Sequence, residues 1–165
     1  MEYLNLYDEF RNPIGEKILR SKNMKKEKGK YINIVIVFIE NNEGKFLIQK
    51  TSKEKGSVFA TTGGLVKSGF TPNQTIIEEI KEELGLKIDI TELELIYTEK
   101  REFAFQDTYY LKKNIDINDL TLQESEVEYV KWLSIDEIKG LIKENKFREG
   151  NINSFLNLLK NKGKI

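Results

Sequence analysis

The sequence predicts an α+β fold in which a mixed β-sheet lies between helices and is preceded by an N-terminal β-hairpin. Three observations support this prediction. Apolar stretches of strand length outnumber helical patterns, helices interrupt the strands irregularly, and one helical pattern has clear signals at both of its ends. The length of 165 residues suits one domain, which we take as residues 1–165.

The composition excludes several kinds of chemistry. The chain has no cysteine and no histidine, which excludes a disulfide framework, a thiol nucleophile, a Cys/His zinc site and a Ser-His triad. Lysine plus arginine and aspartate plus glutamate both number 27, so we expect no general attraction to nucleic acid or to a membrane. Neither a signal peptide nor a bilayer-spanning apolar run is found, so we expect a cytoplasmic protein. We expect this protein to be either a monomer or a homodimer.

Residues 1–30 are predicted to form an N-terminal hairpin extension. A first strand at 3–7, a turn at 11–15 and a return strand at 17–19 make up this hairpin. The lysine-rich stretch 22–30 follows. It is either a phosphate-binding patch or a solvated loop, and we favour the loop.

The main sheet is predicted from apolar segments of strand length. Residues 31–39 are rich in Ile and Val, as in a buried strand, and a turn at 41–44 leads to a return strand that begins at Phe46. Residues 51–62 are interpreted as a loop. Three later segments share the strand pattern: residues 93–98, 102–111 and 127–133. Two helices are predicted near the C-terminus, one capped by Ser134 and running to about 143, the other at 153–161.

The best-marked helix begins after Thr71 and ends at Gly85. Thr71 can cap it, Pro72 suits the first helical position, and Gln74 can complete a capping box. Gly85 is a typical C-terminal stop. Four apolar residues share one face and are predicted to lie in the core: Ile76, Ile77, Ile80 and Leu84.

Three glutamates, Glu79, Glu82 and Glu83, share a neighbouring arc of this helix close to its end. Like charges at such spacings destabilise a helix by about 0.2–0.5 kcal/mol per pair. The negative end of the helix dipole adds to the repulsion. The cluster is either a solvated acidic face or a site for Mg²⁺, because carboxylate oxygens are the hard ligands that this ion prefers. The glycine pair Gly63-Gly64 is expected in a preceding loop, where it would let the backbone approach a ligand.

Residues 64–86 resemble the Nudix box, G-x5-E-x7-R-E-U-x-E-E-x-G-U, where U is a bulky aliphatic residue. Seven residues stand at matching positions: Gly64, Glu79, Ile80, Glu82, Glu83, Gly85 and Leu86. Phe70 replaces the first glutamate of the box and Glu78 replaces its arginine, two residues that commonly form a salt bridge in the family. The N-terminal hairpin resembles the isopentenyl-diphosphate-isomerase-like branch, although the cysteine and histidines of the isomerase have no counterpart in this chain.

The resemblance implies a Nudix fold and metal-dependent hydrolysis of a diphosphate linkage in a nucleoside diphosphate derivative, which would be the small-molecule partner. Mg²⁺ or Mn²⁺ is the implied cofactor. Its implied ligands are Glu79 and Glu83, with help from the carbonyl of Gly64, while Glu82 holds a second ion or acts through water. Such an ion polarises a phosphoryl oxygen and helps to generate hydroxide.

Members of the family often add a glutamate from a later loop as a base or a further ligand. Glu124, Glu126 and Glu128 precede or begin the strand at 127–133, and we favour Glu126 as a catalytic residue beside Glu79 and Glu82. The departures at the box leave a second function open, that of a non-catalytic Nudix domain that acts as a nucleotide-binding sensor. The retained glutamates favour the enzyme, since a binding module has no use for a repulsive cluster.

Overall fold

The computed structural model describes residues 1–165 and contains nine strands and three α-helices. The strands are β1 (Tyr3–Tyr7), β2 (Pro13–Leu19), β3 (Ile32–Glu40), β4 (Phe46–Thr51), β5 (Phe59–Ala60), β6 (Thr62–Leu65), β7 (Glu94–Lys100), β8 (Ala104–Lys112) and β9 (Val127–Leu133). The helices are α1 (Pro72–Leu84), α2 (Ile135–Lys143) and α3 (Glu149–Asn161). None of the three combines the length and the apolar composition needed to cross a membrane.

The main sheet has seven strands and is mixed. The order β5-β4-β3-β8-β7 forms its path, while β6 pairs with β3 and β9 pairs with β4. Strands β3 and β8 are parallel, and the other pairs are antiparallel. The predicted mixed sheet is therefore confirmed.

Helices cover both faces of this sheet, and each face has its own apolar core. Helix α1 buries Ile76, Ile80 and Leu84 on one face, as its periodicity predicted. Helices α2 and α3 bury Ile138 and Phe155, among others, on the opposite face. The predicted sandwich of a sheet between helices is confirmed.

The N-terminal hairpin is a separate two-stranded sheet formed by β1 and β2. Arg11, in the hairpin turn, donates from its two terminal nitrogens to both carboxylate oxygens of Asp107 on β8, at 2.9 and 2.6 Å. Because the Asp107 side chain is only 4% exposed, this paired charge fixes the hairpin against the sheet. Residues 20–30, which include the whole lysine-rich stretch, contain neither strand nor helix.

Helix α1 has the predicted ends. The Thr71 hydroxyl accepts from the Gln74 backbone N–H at 3.1 Å, and the Gln74 side chain accepts from the Thr71 backbone N–H at 3.0 Å. Gly85 ends the helix with a φ of 68°, in the left-handed region that favours glycine. These caps fix where the glutamates of α1 stand relative to the strands before it.

Three predictions about local structure were wrong. The loop expected over 51–62 contains β5, and the glycine pair Gly63-Gly64 lies within strand β6 and not in a loop. Glycine is a poor strand former, so its strand position is set by tertiary pairing with β3. Helix α3 begins at Glu149, four residues earlier than expected, because its Gly- and Asn-rich first turn is held by contacts such as that between Asn151 Oδ1 and the Thr61 backbone N–H, at 3.1 Å.

Candidate active site

A cavity of about 410 Å³ opens between β6 and α1. Its lining contains every residue that the sequence suggested for metal binding or catalysis: Gly64, Glu79, Glu82, Glu83 and Glu126. The loop before β9 brings Glu126 to the carboxylates of α1 from the other side. The structure thus places these five residues around one space.

The two glycines of β6 serve different contacts. A Cβ atom at Gly64 would lie 2.5 Å from the carboxyl carbon of Glu79, so the strand can pass α1 at this point only because the side chain is absent. A Cβ atom at Gly63 would instead meet the backbone carbonyl oxygen of Val35 on β3. Gly64 therefore makes room for the acidic site, while Gly63 makes room for the sheet.

Glu83 is the most deeply placed carboxylate of the site, at 4% exposure. The Gln49 side-chain amide donates to its Oε1 at 3.1 Å, and the Thr62 hydroxyl donates to the carbonyl oxygen of the same Gln49 side chain at 3.2 Å. Gln49 and Thr62 escaped the sequence analysis, because single polar residues in a buried strand carry no distinctive pattern. They hold Glu83 in one orientation, facing Glu79.

Burial and the neighbouring Glu79 carboxylate together raise the pKa of Glu83 to about 9. Burial also raises the pKa of Glu79, although a hydrogen bond from protonated Glu83 favours its charged form. The two side chains therefore share a proton when no cation is present. Helix α1 thus holds two carboxyl groups side by side without a paired cation from the chain, which disfavours ionisation of both at once.

Glu82 and Glu126 lie nearer to solvent. Partial desolvation, and secondly the adjacent Glu78, raise the pKa of Glu82. Glu126 forms an ion pair with Lys55 at 3.4 Å, whereas Glu124 and Glu128 are exposed and do not line the cavity. No three acidic side chains of the chain form a complete ligand set for an ion by themselves. Backbone carbonyl oxygen, water and substrate would have to supply the remaining ligands of an ion bound here.

The two box positions that depart from the family pattern do not form a pair with each other. The Lys67 ammonium lies 4.5 Å from the centroid of the Phe70 ring, and Glu78 faces the edge of the cavity beside Glu82. Arg20, just after the hairpin, lines the same cavity, and its charge favours the ionised form of Glu79. A cation from the N-terminal extension thus reaches the acidic site.

Four aromatic residues of the segment 97–109 do not reach this cavity. Phe105 is 7% exposed and packs on Tyr31, while Tyr109 is 2% exposed and donates its hydroxyl to Asn73 Oδ1 at 2.6 Å. Tyr97 and Phe103 are also absent from the cavity walls. These four rings therefore offer no surface on which a base could stack beside the glutamates.

A second cavity, of about 260 Å³, continues from the first past Gly64. Four basic residues line it: Arg20, Lys55, Arg101 and Arg148. Arg20 and Lys55 also line the first cavity, whereas Arg101 and Arg148 line only the second of the two. Glu83 and Glu126 line both cavities, so the two form one cleft with an acidic half and a basic half. The sequence analysis missed this half, since the four residues come from four separate segments and stand among 27 basic residues.

A strand glycine set against a glutamate-bearing helix, on a mixed sheet covered by helices, defines this chain as a Nudix-type domain. The NUDIX domain model matches residues 30–155, and the chain belongs to the Nudix hydrolase family. It is 30% identical over 152 residues to an uncharacterized Nudix hydrolase of Listeria monocytogenes, covering 89% of this chain and 88% of that protein. The predicted resemblance, and with it a Nudix-type pyrophosphohydrolase, is confirmed.

Solved structures show the same fold. DR0079 from Deinococcus radiodurans superposes with a TM-score of 0.79 at 21% identity, covering 93% of this chain and 96% of that one. The Nudix domain of Shewanella oneidensis NrtR, solved in complex with ADP ribose, superposes with a TM-score of 0.54 at 15% identity, covering 67% and 77% of the two chains. At these identities the likeness concerns the fold alone.

The raised pKa of Glu83 predicts how stability depends on pH when metal is removed. In the native state Glu83 keeps a proton that the unfolded chain releases above the ordinary pKa of 4.5. The contribution of this group to the free energy of unfolding is therefore fully present below pH 4.5 and is lost as pH rises toward about 9. The loss between pH 5 and 8 amounts to at most about 4 kcal/mol. We expect the melting temperature in EDTA to fall by about 5–10 °C over this range. Calorimetry across the range checks this, and a melting temperature that rises steadily to pH 8 would contradict it.

Proposed function

We propose that this protein hydrolyses a diphosphate linkage in a nucleoside diphosphate derivative, with Mg²⁺ or Mn²⁺ as its cofactor. The observation that carries the proposal is the juxtaposition of Gly64, Glu79 and Glu83. The strand glycine makes room for the partly buried carboxylate of Glu79 beside the buried carboxylate of Glu83, and neither has a cationic partner within hydrogen-bonding distance. A divalent cation removes the repulsion that the fold creates there.

The donor chemistry of the site fits such an ion. Glu79 and Glu83 offer carboxylate oxygens, Gly64 offers its carbonyl oxygen, and Glu82 stands at the edge, where it can hold a second ion directly or through water. When bound, the ion supplies charge that stabilises the phosphoryl oxygens of the substrate. One chain provides all of these groups, so a monomer is sufficient for activity.

The hydrolytic step needs a group that accepts the proton of the attacking water. Without histidine, a carboxylate is the available side chain, and Glu126 is suited because it lies close enough to Glu79 and Glu83 to influence the pKa of both. Water oxygen attacks one phosphorus, the bond to the bridging oxygen breaks, and the proton passes to the carboxylate. Lys55 forms an ion pair with Glu126 at 3.4 Å, which orients this carboxylate.

The acidic and basic halves of the cleft support this substrate class. A diphosphate bridge can contact a metal ion on the acidic side and extend toward the basic side. ADP ribose, the ligand in the solved NrtR Nudix domain, is itself a nucleoside diphosphate joined to a sugar, and this supports the same class here.

A phosphate-release screen tests the proposal directly. Nucleotide sugars, dinucleotides and nucleoside triphosphates are incubated with the protein and Mg²⁺ or Mn²⁺, with EDTA as the control. We expect metal-dependent release from at least one class. A nucleotide that binds without turnover under every condition would instead identify a sensor, the alternative that Phe70 and Glu78 suggest.

Metal should also stabilise the folded protein, because it binds only where the carboxylates of α1 and the carbonyl of β6 are brought together. At about 100 times the dissociation constant the gain is roughly 2.7 kcal/mol, which corresponds to a rise in melting temperature of about 5–10 °C. Thermal melts with Mg²⁺, Mn²⁺ and EDTA measure it. The K⁺ salt at equal ionic strength is the control, and equal melting temperatures in all four conditions would argue against a metal site.

A further inference from the structure

Arg148 stands out among the basic residues of the cleft because its guanidinium has no partner. Its backbone N–H donates to the carbonyl oxygen of Phe59 at 2.8 Å, which anchors the residue between β5 and α3. The side chain caps no backbone group of α3 and forms no ion pair. Burial lowers the pKa of Arg148, and the charges of Glu83 and Glu126 offset this effect only in part. A half-buried arginine without an anion is costly, so the position indicates a ligand.

The other three cations of the basic half differ in how far they are neutralised. Arg20 is paired with Glu2 at 3.0 Å and Lys55 with Glu126 at 3.4 Å. The Arg101 guanidinium forms no ion pair and donates a hydrogen bond to the neutral side chain of Gln106, at 3.2 Å. Two guanidinium charges, on Arg101 and Arg148, are therefore left for a ligand.

The buried side chain of Gln106 holds Arg101 in place. Gln106 is 2% exposed, and its amide nitrogen donates to the Gly150 carbonyl oxygen at 2.8 Å and to the Ser154 hydroxyl at 3.0 Å. This leaves the Gln106 amide oxygen for Arg101. The same bonds tie β8 to the first turns of α3, just after Arg148, so both arginines are positioned by one buried polar network.

Most of the residues that line this cavity are polar or charged, and none is aromatic. Only three of its 17 lining residues are hydrophobic, and these are Ile34, Ile36 and Leu65. Buried amide and hydroxyl groups of Gln49, Thr61 and Asn151 form other parts of the lining. A purine or pyrimidine has no ring to stack on here, whereas a phosphate on a hydroxyl-rich carrier finds both charge and hydrogen-bonding groups.

We propose that Arg148 and Arg101 form a phosphate-binding subsite that selects substrates with a further phosphate group, carried on a polar, non-aromatic moiety, beyond the diphosphate bridge. This inference rests on the proposed function for the position of the bridge. It assigns the non-nucleoside part of the substrate to the basic half of the cleft, and it makes the two arginines specificity-determining residues.

Binding of simple probes to the EDTA-treated protein tests the subsite without any turnover. Titration calorimetry with inorganic phosphate, ribose 5-phosphate, ribose and phenyl phosphate is carried out on wild type, Arg148→Gln, Arg148→Lys and the surface control Lys139→Gln. We expect ribose 5-phosphate to bind at least as tightly as phosphate, phenyl phosphate to gain nothing from its ring, and ribose not to bind. Arg148→Gln should weaken phosphate binding about tenfold or more, Arg148→Lys should lose less, and Lys139→Gln should leave it unchanged.

The substrate found by the phosphate-release screen provides the second measurement. Because Arg148 contacts a group remote from the reacting phosphorus, Arg148→Gln should raise KM about tenfold and change kcat less than threefold. Wild type that binds no phosphate, equal affinities in wild type and Arg148→Gln, or a kcat loss at constant KM would overturn the inference. Phosphate binding that depends on Arg148 in a protein that hydrolyses nothing would overturn the proposed function and leave the subsite standing.

Discussion

Glu83→Gln is expected to abolish metal-dependent hydrolysis while leaving the fold intact. The amide keeps the size of the side chain. Its oxygen can still accept the hydrogen bond that the Gln49 side-chain nitrogen donates to Glu83 Oε1 in the wild-type protein, at 3.1 Å. As a neutral group it is a weaker ligand for a hard cation. Charge stabilisation by a metal ion is worth several kcal/mol, and each 1.36 kcal/mol is a factor of ten, so turnover should fall at least about a hundredfold.

The same substitution should have the opposite effect on the metal-free protein. Removing the ionisable group removes the linkage that destabilises wild type as pH rises from 5 to 8, so the melting temperature of Glu83→Gln in EDTA should exceed that of wild type at pH 8 and vary less with pH. Activity and melting temperature are measured on one preparation. Glu128→Gln, exposed and outside the cavity, is the matched control and should change neither. Wild-type turnover in Glu83→Gln would remove Glu83 from the metal site.

The sequence predicted those parts of the fold whose signals are local. Helix α1 follows its Thr71 and Gly85 signals, and β9 lies where the sequence places it, because capping and apolar periodicity depend on neighbouring residues. Strand β6 was missed because its glycines are poor strand formers, and only its pairing with β3, distant in the chain, makes it a strand. Residues that act through long-range contacts carry no local signal.

The candidate site divides in the same way. The glutamates of α1 were found because their spacing is regular and electrostatically unfavourable, and because it matches a family motif. The sequence analysis did not find Gln49, Arg101 and Arg148. These residues belong to β4, to the turn before β8 and to the position before α3, which lie close together only in the folded protein. Sequence reasoning thus reached the acidic half of the cleft and missed the basic half, which the structure alone reveals.

Alanine substitutions at the two glycines of β6 are expected to have large but different effects, one on metal-dependent turnover and the other on the stability of the fold. Gly64→Ala places a Cβ atom 2.5 Å from the carboxyl carbon of Glu79, at the flexible end of that side chain, which can swing away. We therefore expect little change in stability. Because Glu79 then leaves its position beside Glu83, metal-dependent turnover should fall about a hundredfold, as expected for loss of a metal ligand.

Gly63→Ala should do the reverse. Its Cβ atom would meet the rigid backbone carbonyl of Val35, and it would lie 2.7 Å from the Ile36 side chain, so β6 must move or separate from β3. We expect a loss of about 1–3 kcal/mol in the free energy of unfolding, as for other overpacked positions, with metal response retained in the fraction that folds. Gly140→Ala, in α2 with nothing within 4 Å of its Cβ position, is the control and should stabilise by about 0.5–1 kcal/mol.

Denaturant unfolding and metal titration of the three alanine variants separate the two roles. We expect Gly64→Ala to keep its stability and lose turnover, and Gly63→Ala to lose stability and keep its response to metal. This pair of results would assign Gly64 to the metal site and Gly63 to the sheet. Equal losses of stability in both would mean that the glycine pair serves only the sheet. Full turnover in Gly64→Ala would show that Glu79 need not stand against β6, and the arrangement of Gly64, Glu79 and Glu83 would then no longer support a metal-dependent hydrolase.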